Sequence, residues 1–260
     1  MAEINSRAND KIKYAARLSE SASLRKESGE FFLEGARLCS DAALSGAGIT
    51  RAFFTAEAQK KYASYIEKIT AVCGECYTVS DEVAAKLSLT DSSQGVFCVC
   101  RKPALDAQVK ADGRYIALEN VQDPANFGSV CRTAEALGLS GVIVSGGCDI
   151  FNPKALRAAM GSSLRINIIE TGNLVELIEK ANAKGMLTLA STPRDDAENI
   201  NGIEYDGGVI CCVGNEGSGL TDEVLSACKK RVTIPMRGRA ESLNASAAAA
   251  VLMWEISGKG

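Results

Sequence analysis

Three polar segments in the second half of the chain hold the side chains whose types and spacing could do chemistry. The first runs Glu119-Asn-Val-Gln-Asp-Pro-Ala-Asn126 and continues to Arg132. The second is Gly214-Asn215-Glu216-Gly217-Ser218-Gly219, and the third is Ile234-Pro-Met236-Arg-Gly-Arg-Ala-Glu-Ser242-Leu243-Asn244. Together they supply a carboxylate, a guanidinium, amides and hydroxyls, groups able to orient a nucleophile and hold an anion. The glycines of the second segment permit positive φ and close backbone approach. They fall at relative positions 1, 4 and 6, so they are not a dinucleotide fingerprint, and no Gly-Lys-Ser/Thr follows to make a P-loop. Each segment also has a purely structural reading: a helix cap with a surface arginine, a tight strand–helix turn, and close helix packing.

The 260 residues contain no histidine. That excludes Ser-His-Asp and Cys-His nucleophile systems and any His-ligated zinc or iron site. Proton transfer must then fall to carboxylates, Lys, Tyr, Cys or the substrate. Ten cysteines in a chain whose start (MAEINSRANDKIKY) is polar and charged are expected to be reduced thiols in a cytoplasmic protein. Cys73-Gly-Glu-Cys76 has the spacing of half a zinc site with no second pair at ribbon distance, so no metal is expected. The longest apolar run, Ala247 to Trp254, is too short to span a bilayer, and no membrane partner is expected.

The elements that must position these residues follow from hydrophobic patterning. Residues 1–105 carry 14 Lys/Arg against 13 Asp/Glu, and residues 106–260 carry 15 against 19. The composition changes near Lys102-Pro103, which predicts a domain over 1–105 and a second over 106–260. In the first, Ile12, Ala15, Ala16 and Leu18 predict an opening helix; strands are predicted at Phe31–Leu33, Ile49–Thr55 and Gly95–Arg101, with a helix over Gly35–Leu44. In the second, apolar strands at Tyr115–Leu118, Val142–Ser145, Met186–Ala190, Val209–Val213 and Val232–Ile234 alternate with helical stretches. One of these is expected from Phe127 to Leu137 with Asn126 at its cap, and Arg132 is expected to reach the same cleft. Such alternation predicts an α/β fold with a parallel sheet, whose ligands bind at the carboxyl ends of the strands.

Taken in order, Asn126…Arg132, Gly214-Asn-Glu216-Gly-Ser-Gly219 and Ile234-Pro-Met236…Ser242-Leu243-Asn244 closely resemble the three motifs of SpoU-class RNA ribose methyltransferases of the SPOUT superfamily. The resemblance is strong over about 114–256. It extends more weakly to the N-terminal part, where Phe32-Leu33-Glu34-Gly35 and Gln94-Gly95-Val96 look like the family's small L30e-like substrate-binding domain. It implies a parallel-sheet domain with a deep trefoil knot, S-adenosylmethionine as cofactor, and methylation of a ribose 2′-hydroxyl in structured RNA, preferentially ribosomal. The target base stays open. The alternatives are a transfer-RNA enzyme of the same kind and a non-catalytic RNA-binding module of the same fold. The implied catalytic set is Asn126, Arg132, Glu216, Ser242 and Asn244. The implied cofactor pocket comprises Ala190, Ser191, Thr192, Gly214, Asn215, Gly219, Ile234, Met236 and Leu243. The resemblance also implies a homodimer, with Ala245–Ala250 packed closely, and RNA docking on Arg7, Lys11, Lys13, Arg17, Arg25 and Lys26.

Overall fold

The computed structural model describes residues 1–105, 108–193 and 196–258. The chain divides into two compact units, Met1–Ala104 with Phe151–Leu164, and Leu105–Ile150 with Arg165–Gly260. Asp106, where the second domain was expected to begin, lies outside the described residues.

In the first unit the chain runs β1 (Ala2–Ile4), α1 (Asp10–Glu20), α2 (Ala22–Ser28), β2 (Glu30–Glu34), α3 (Ala36–Leu44), β3 (Ile49–Thr55), α4 (Ala56–Lys61), α5 (Ala63–Val72), β4 (Glu75–Val79), α6 (Asp81–Leu87) and β5 (Val96–Arg101). The strands order as β1-β4-β3-β5-β2, with β5 antiparallel to both neighbours. Helix α1 forms where the Asn9 side chain accepts from the Lys11 N–H, and its buried residues are Ile12, Ala15, Ala16 and Leu18. They pack on Phe32, Phe53 and Phe97 of the sheet.

The N-terminal cations are less available than their sequence positions imply. Lys11 pairs with Glu75 at 2.7 Å and Lys13 with Asp10 at 3.4 Å. Arg7 donates to the Glu82 carbonyl, and Arg25 is buried against the Leu18 and Ser19 carbonyls. Only Arg17 and Lys26 of the six are exposed with neither an ion pair nor a side-chain hydrogen bond among the described residues. The Cys73-Gly-Glu-Cys76 thiols turn to backbone carbonyls of Glu75 and Cys73, and burial pushes Cys76 up to about 12, so it stays a protonated thiol. Among the described residues no three Cys, Asp or Glu side chains group to hold a metal ion, and no helix is long and apolar enough to cross a membrane.

The chain continues through β6 (Arg114–Glu119), α7 (Pro124–Ala136), β7 (Gly141–Ser145), α8 (Pro153–Ala159), β8 (Ile168–Glu170), α9 (Leu174–Ala183), β9 (Leu187–Ser191), β10 (Glu198–Asn199), β11 (Val209–Val213), α10 (Asp222–Ala227), β12 (Lys230–Thr233) and α11 (Ala245–Ser257). All but α8 belong to the second unit. Its seven strands order as β10-β12-β9-β11-β6-β7-β8 and every pairing is parallel. Strand β11 is wholly apolar and buried, and β6 and β9 are buried at their centres, as a sheet covered on both faces requires. Because the strands are parallel, the loops leaving β6, β9, β11 and β12 emerge on one edge, and the three polar segments are thereby gathered.

Residues 151–164 depart from the expected unbroken second domain. They cluster with the first unit, where the Phe151 ring packs 4.9 Å from Phe31 and Lys102 Nζ lies 4.9 Å from the Phe151 ring centroid. A single aromatic anchor of this kind leaves no trace in hydrophobic periodicity. Phe151→Ala is expected to lower stability to chemical denaturation by about 3 kcal/mol through the cavity it leaves. An unchanged denaturation midpoint would show that the segment is not anchored there.

Candidate functional site

The loop after β11 closes on itself. The Asn215 and Gly219 backbones exchange N–H···O bonds of 3.0 and 2.9 Å. The Asn215 Oδ1 accepts from the N–H groups of Gly217 and Ser218 at 2.9 and 3.0 Å, while its Nδ2 donates to the Asn120 carbonyl at 2.9 Å. A Cβ on Gly214 would stand 2.1 Å from the Gly219 carbonyl carbon, and Gly219 has φ +71. Gly214 and Gly219 are thus required by the loop's own closure.

Glu216 ties this loop to the start of α7. Its carboxylate accepts from the Gln122 and Asp123 N–H groups at 3.0 and 3.1 Å and from Asn126 Nδ2 at 2.8 Å. Partial burial pushes the carboxyl up, but the hydrogen bonds from Gln122, Asn126, its own N–H and Asp123 outweigh it and hold the group below its usual range. A helix N-terminus further favours the anion. Glu216 is therefore a fixed acceptor with its oxygens engaged, poorly suited to be a general base, which needs a pKa near the working pH.

Two expectations about α7 are corrected. Asp123, not Asn126, is the cap, accepting from the Ala125 N–H at 3.0 Å, because Pro124 starts the helix three residues early. Asn126 becomes the third helical residue, 6% exposed and fastened to Glu216. Arg132 does not reach the cleft with it. Six residues turn a helix through about 600°, and that places Arg132 about 120° around from Asn126 and about 9 Å along the axis. Arg132 is exposed, without a hydrogen bond or ion pair among the described residues.

A cavity of about 810 Å³ opens on the carboxyl edge of the sheet. It collects Ser191 and Thr192 after β9, the loop Gly214–Gly219 after β11, and Ile234, Met236, Ser242 and Leu243 after β12. Glu216 lies on its wall. Met236 and Leu243, each 38% exposed, give it an apolar lining open to a ligand. Three expected residues do not line it. Ala190 is fully buried in β9, Asn126 sits under Glu216, and Asn244 caps α11 by accepting from the Ser246 N–H at 2.9 Å. Sequence reasoning missed Asn199, Leu225 and Thr233 on the wall. It gave no role to Glu119, 7% exposed, which accepts from the Thr221 N–H and hydroxyl at 2.8 Å and so fixes the far end of the same loop. Its signal was an acidic residue closing an apolar strand.

Comparison with known proteins places this geometry. Residues 113–254 match the SpoU rRNA Methylase family and residues 9–98 the MRM3-like substrate binding domain. An uncharacterized tRNA/rRNA methyltransferase of Synechocystis sp. is 32% identical over 98% of this chain and 93% of its own length. The 23S rRNA (guanosine(2553)-2′-O)-methyltransferase RlmP of Bacillus subtilis is 29% identical over 99% and 100%. The crystal structure of AdoMet-bound rRNA methyltransferase from Sinorhizobium meliloti aligns with TM-score 0.87 and 28% identity, covering 98% of this chain and 96% of that one.

The tie at Glu216 predicts a pH signature. A carboxyl held low in the folded state contributes stability in full above its unfolded value and loses it as pH falls through the folded one, below 4.5. Glu216→Gln sets an amide donor against backbone donors. It is expected to lower the melting temperature at pH 7, with the gap to wild type closing as the pH falls below 4.5. A gap that is constant with pH would disprove the tie.

Proposed function

Because the chain belongs to the SpoU rRNA methylase family, we propose that it transfers a methyl group from S-adenosylmethionine to a ribose 2′-hydroxyl of structured RNA, preferentially ribosomal RNA. The observation that carries this reading is the convergence of the loops after β9, β11 and β12 on one cavity of about 810 Å³, a size ordinary for a nucleoside-like cofactor. The apolar Met236, Leu243 and Ile234 suit an adenine face, and the polar backbone at Gly214–Gly219 suits its edge. Three separate stretches of backbone meeting at one cavity also support the family's deep trefoil knot.

When bound, the cofactor supplies an electrophilic methyl carbon on its sulfonium. The chain's own residues then have a positioning task, since holding a hydroxyl in line with that carbon removes much of the barrier. Ser242 faces the cavity, Asn244 and Asn126 brace the two loops, and Glu216 keeps α7 in register with the cofactor loop. With Glu216 committed as an acceptor and no histidine in the chain, the hydroxyl proton passes to a phosphate oxygen of the RNA. The guanidinium of Arg132 binds that phosphate and stabilises the alkoxide.

Arg132 stands off the cavity of its own protomer, so this role calls for a homodimer that brings α7 of one copy to the cavity of the other. Val251 at 38% and Trp254 at 63% exposure leave an apolar strip on α11, which packs on α7. The ten free thiols suit the cytoplasm. Arg132→Ala is expected to lower turnover on RNA by about 10²–10³-fold while leaving calorimetric S-adenosylmethionine binding unchanged. Full activity in that variant would refute the assignment. Sedimentation is expected at twice the 27.3 kDa chain mass; a monomer would refute the pairing.

A further inference from the structure

The second unit has six described arginines, and half of them are already engaged. Arg114 donates to the Ile256 and Tyr205 carbonyls, Arg165 pairs with Glu135, and Arg231 pairs with Asp196 at 2.7 Å. Arg132 is free on α7. The remaining two, Arg237 and Arg239, lie on the loop between β12 and α11, exposed and without a hydrogen bond or ion pair among the described residues. Their placement is specific. Met236 on one side and Ala240, Glu241 and Ser242 on the other line the cavity, so the two guanidiniums stand on the stretch that bridges its wall. Gly238 between them meets no atom within 4 Å of its would-be Cβ, so the bridge is open on that side. Glu241 is the loop's one carboxylate, and it makes no bond to either arginine.

We propose that Arg237 and Arg239 bind the RNA backbone at the mouth of the cavity, gripping phosphates that flank the ribose to be methylated. The assignment rests on the RNA reading above and deepens it. A guanidinium fork recognises phosphate oxygens through paired N–H donors, and two forks separated by one residue span successive phosphates of an unpaired strand. An extruded nucleotide is needed for a 2′-hydroxyl to enter a cavity, and backbone contacts on either side would hold it there without reading the base. The loop also compensates for the first unit, where four of the six N-terminal cations are engaged internally. The competing anion is the carboxylate of the cofactor, and the experiment separates the two.

The test compares full-length wild type, Arg237→Gln/Arg239→Gln and Arg237→Lys/Arg239→Lys on deproteinised large-subunit ribosomal RNA from cells lacking the gene. RNA affinity is measured across a potassium chloride series, S-adenosylmethionine affinity by calorimetry, and methyl incorporation by kinetics. The glutamine pair is expected to weaken RNA binding by about tenfold or more and to flatten the salt dependence by about 1.4, two single-strand phosphate contacts. KM for RNA rises, while cofactor affinity and melting temperature stay at wild-type values. The lysine pair restores the salt slope, because an ammonium also neutralises a phosphate. A wild type that methylates this RNA, with a glutamine pair of unchanged affinity and slope, overturns the assignment alone. Weakened cofactor binding in the glutamine pair with unchanged RNA binding gives the arginines to the cofactor and likewise overturns it. A wild type that neither binds nor methylates the RNA overturns the reading of the reaction and this inference with it.

Discussion

The carboxylate of Glu216 joins two loops that hold no backbone pairing with each other, and the geometry of the site hangs on it. Strands β6 and β11 are neighbours in the sheet, but a sheet fixes only where loops begin. The turn after β11 is tied to the loop after β6 by the Asn215 amide on the Asn120 carbonyl, and to the first turn of α7 by an anion that accepts its exposed N–H groups. Burial makes that anion costly, and hydrogen bonds from Gln122, Asn126 and Asp123 overcompensate. The opposite end of the loop is held in the same manner by Glu119 on Thr221. One carboxylate at each end turns a glycine-rich stretch into a rigid wall.

This arrangement bears on how methyl transfer proceeds without histidine. The carboxylate on the loop after β11 is occupied in structure, so the proposed reaction leaves acid–base chemistry to other groups, the phosphates of the RNA among them. On the proposed reading, catalysis is a matter of placement and charge, supplied by loops braced from behind and by arginines that face outward.

The sequence was informative where physics acts locally. The opening helix was readable in Ile12, Ala15, Ala16 and Leu18, because its apolar positions recur at helical spacing. Five of the seven strands of the second unit were readable because buried parallel strands are continuous apolar runs, whereas β8 and β10, of three and two residues, were not. Short, half-exposed β1 and β4 carry no such run and went unseen. The motif residues were legible as types, but their partners were not. Asn126 looked like a cap because a polar residue near Pro124 suits one, and only the three-dimensional tie to Glu216 shows its task. Arg132 looked like a cleft residue because sequence distance hides rotation about a helix axis. Phe151–Leu164 joins the first unit through Phe31, more than a hundred residues away, and no window on the chain contains both.

The self-closure of the loop at Gly214 separates two kinds of invariance that a motif merges. A residue can be irreplaceable because a ligand touches it or because the backbone would otherwise collide with itself, and Gly214 belongs to the second kind. For anyone reshaping this cavity to accept a different nucleoside donor, the positions divide accordingly. Met236, Ser242 and Leu243 face the cavity and are open to exchange, whereas Gly214, Asn215 and Glu216 are the mould in which any such cavity has to be cast.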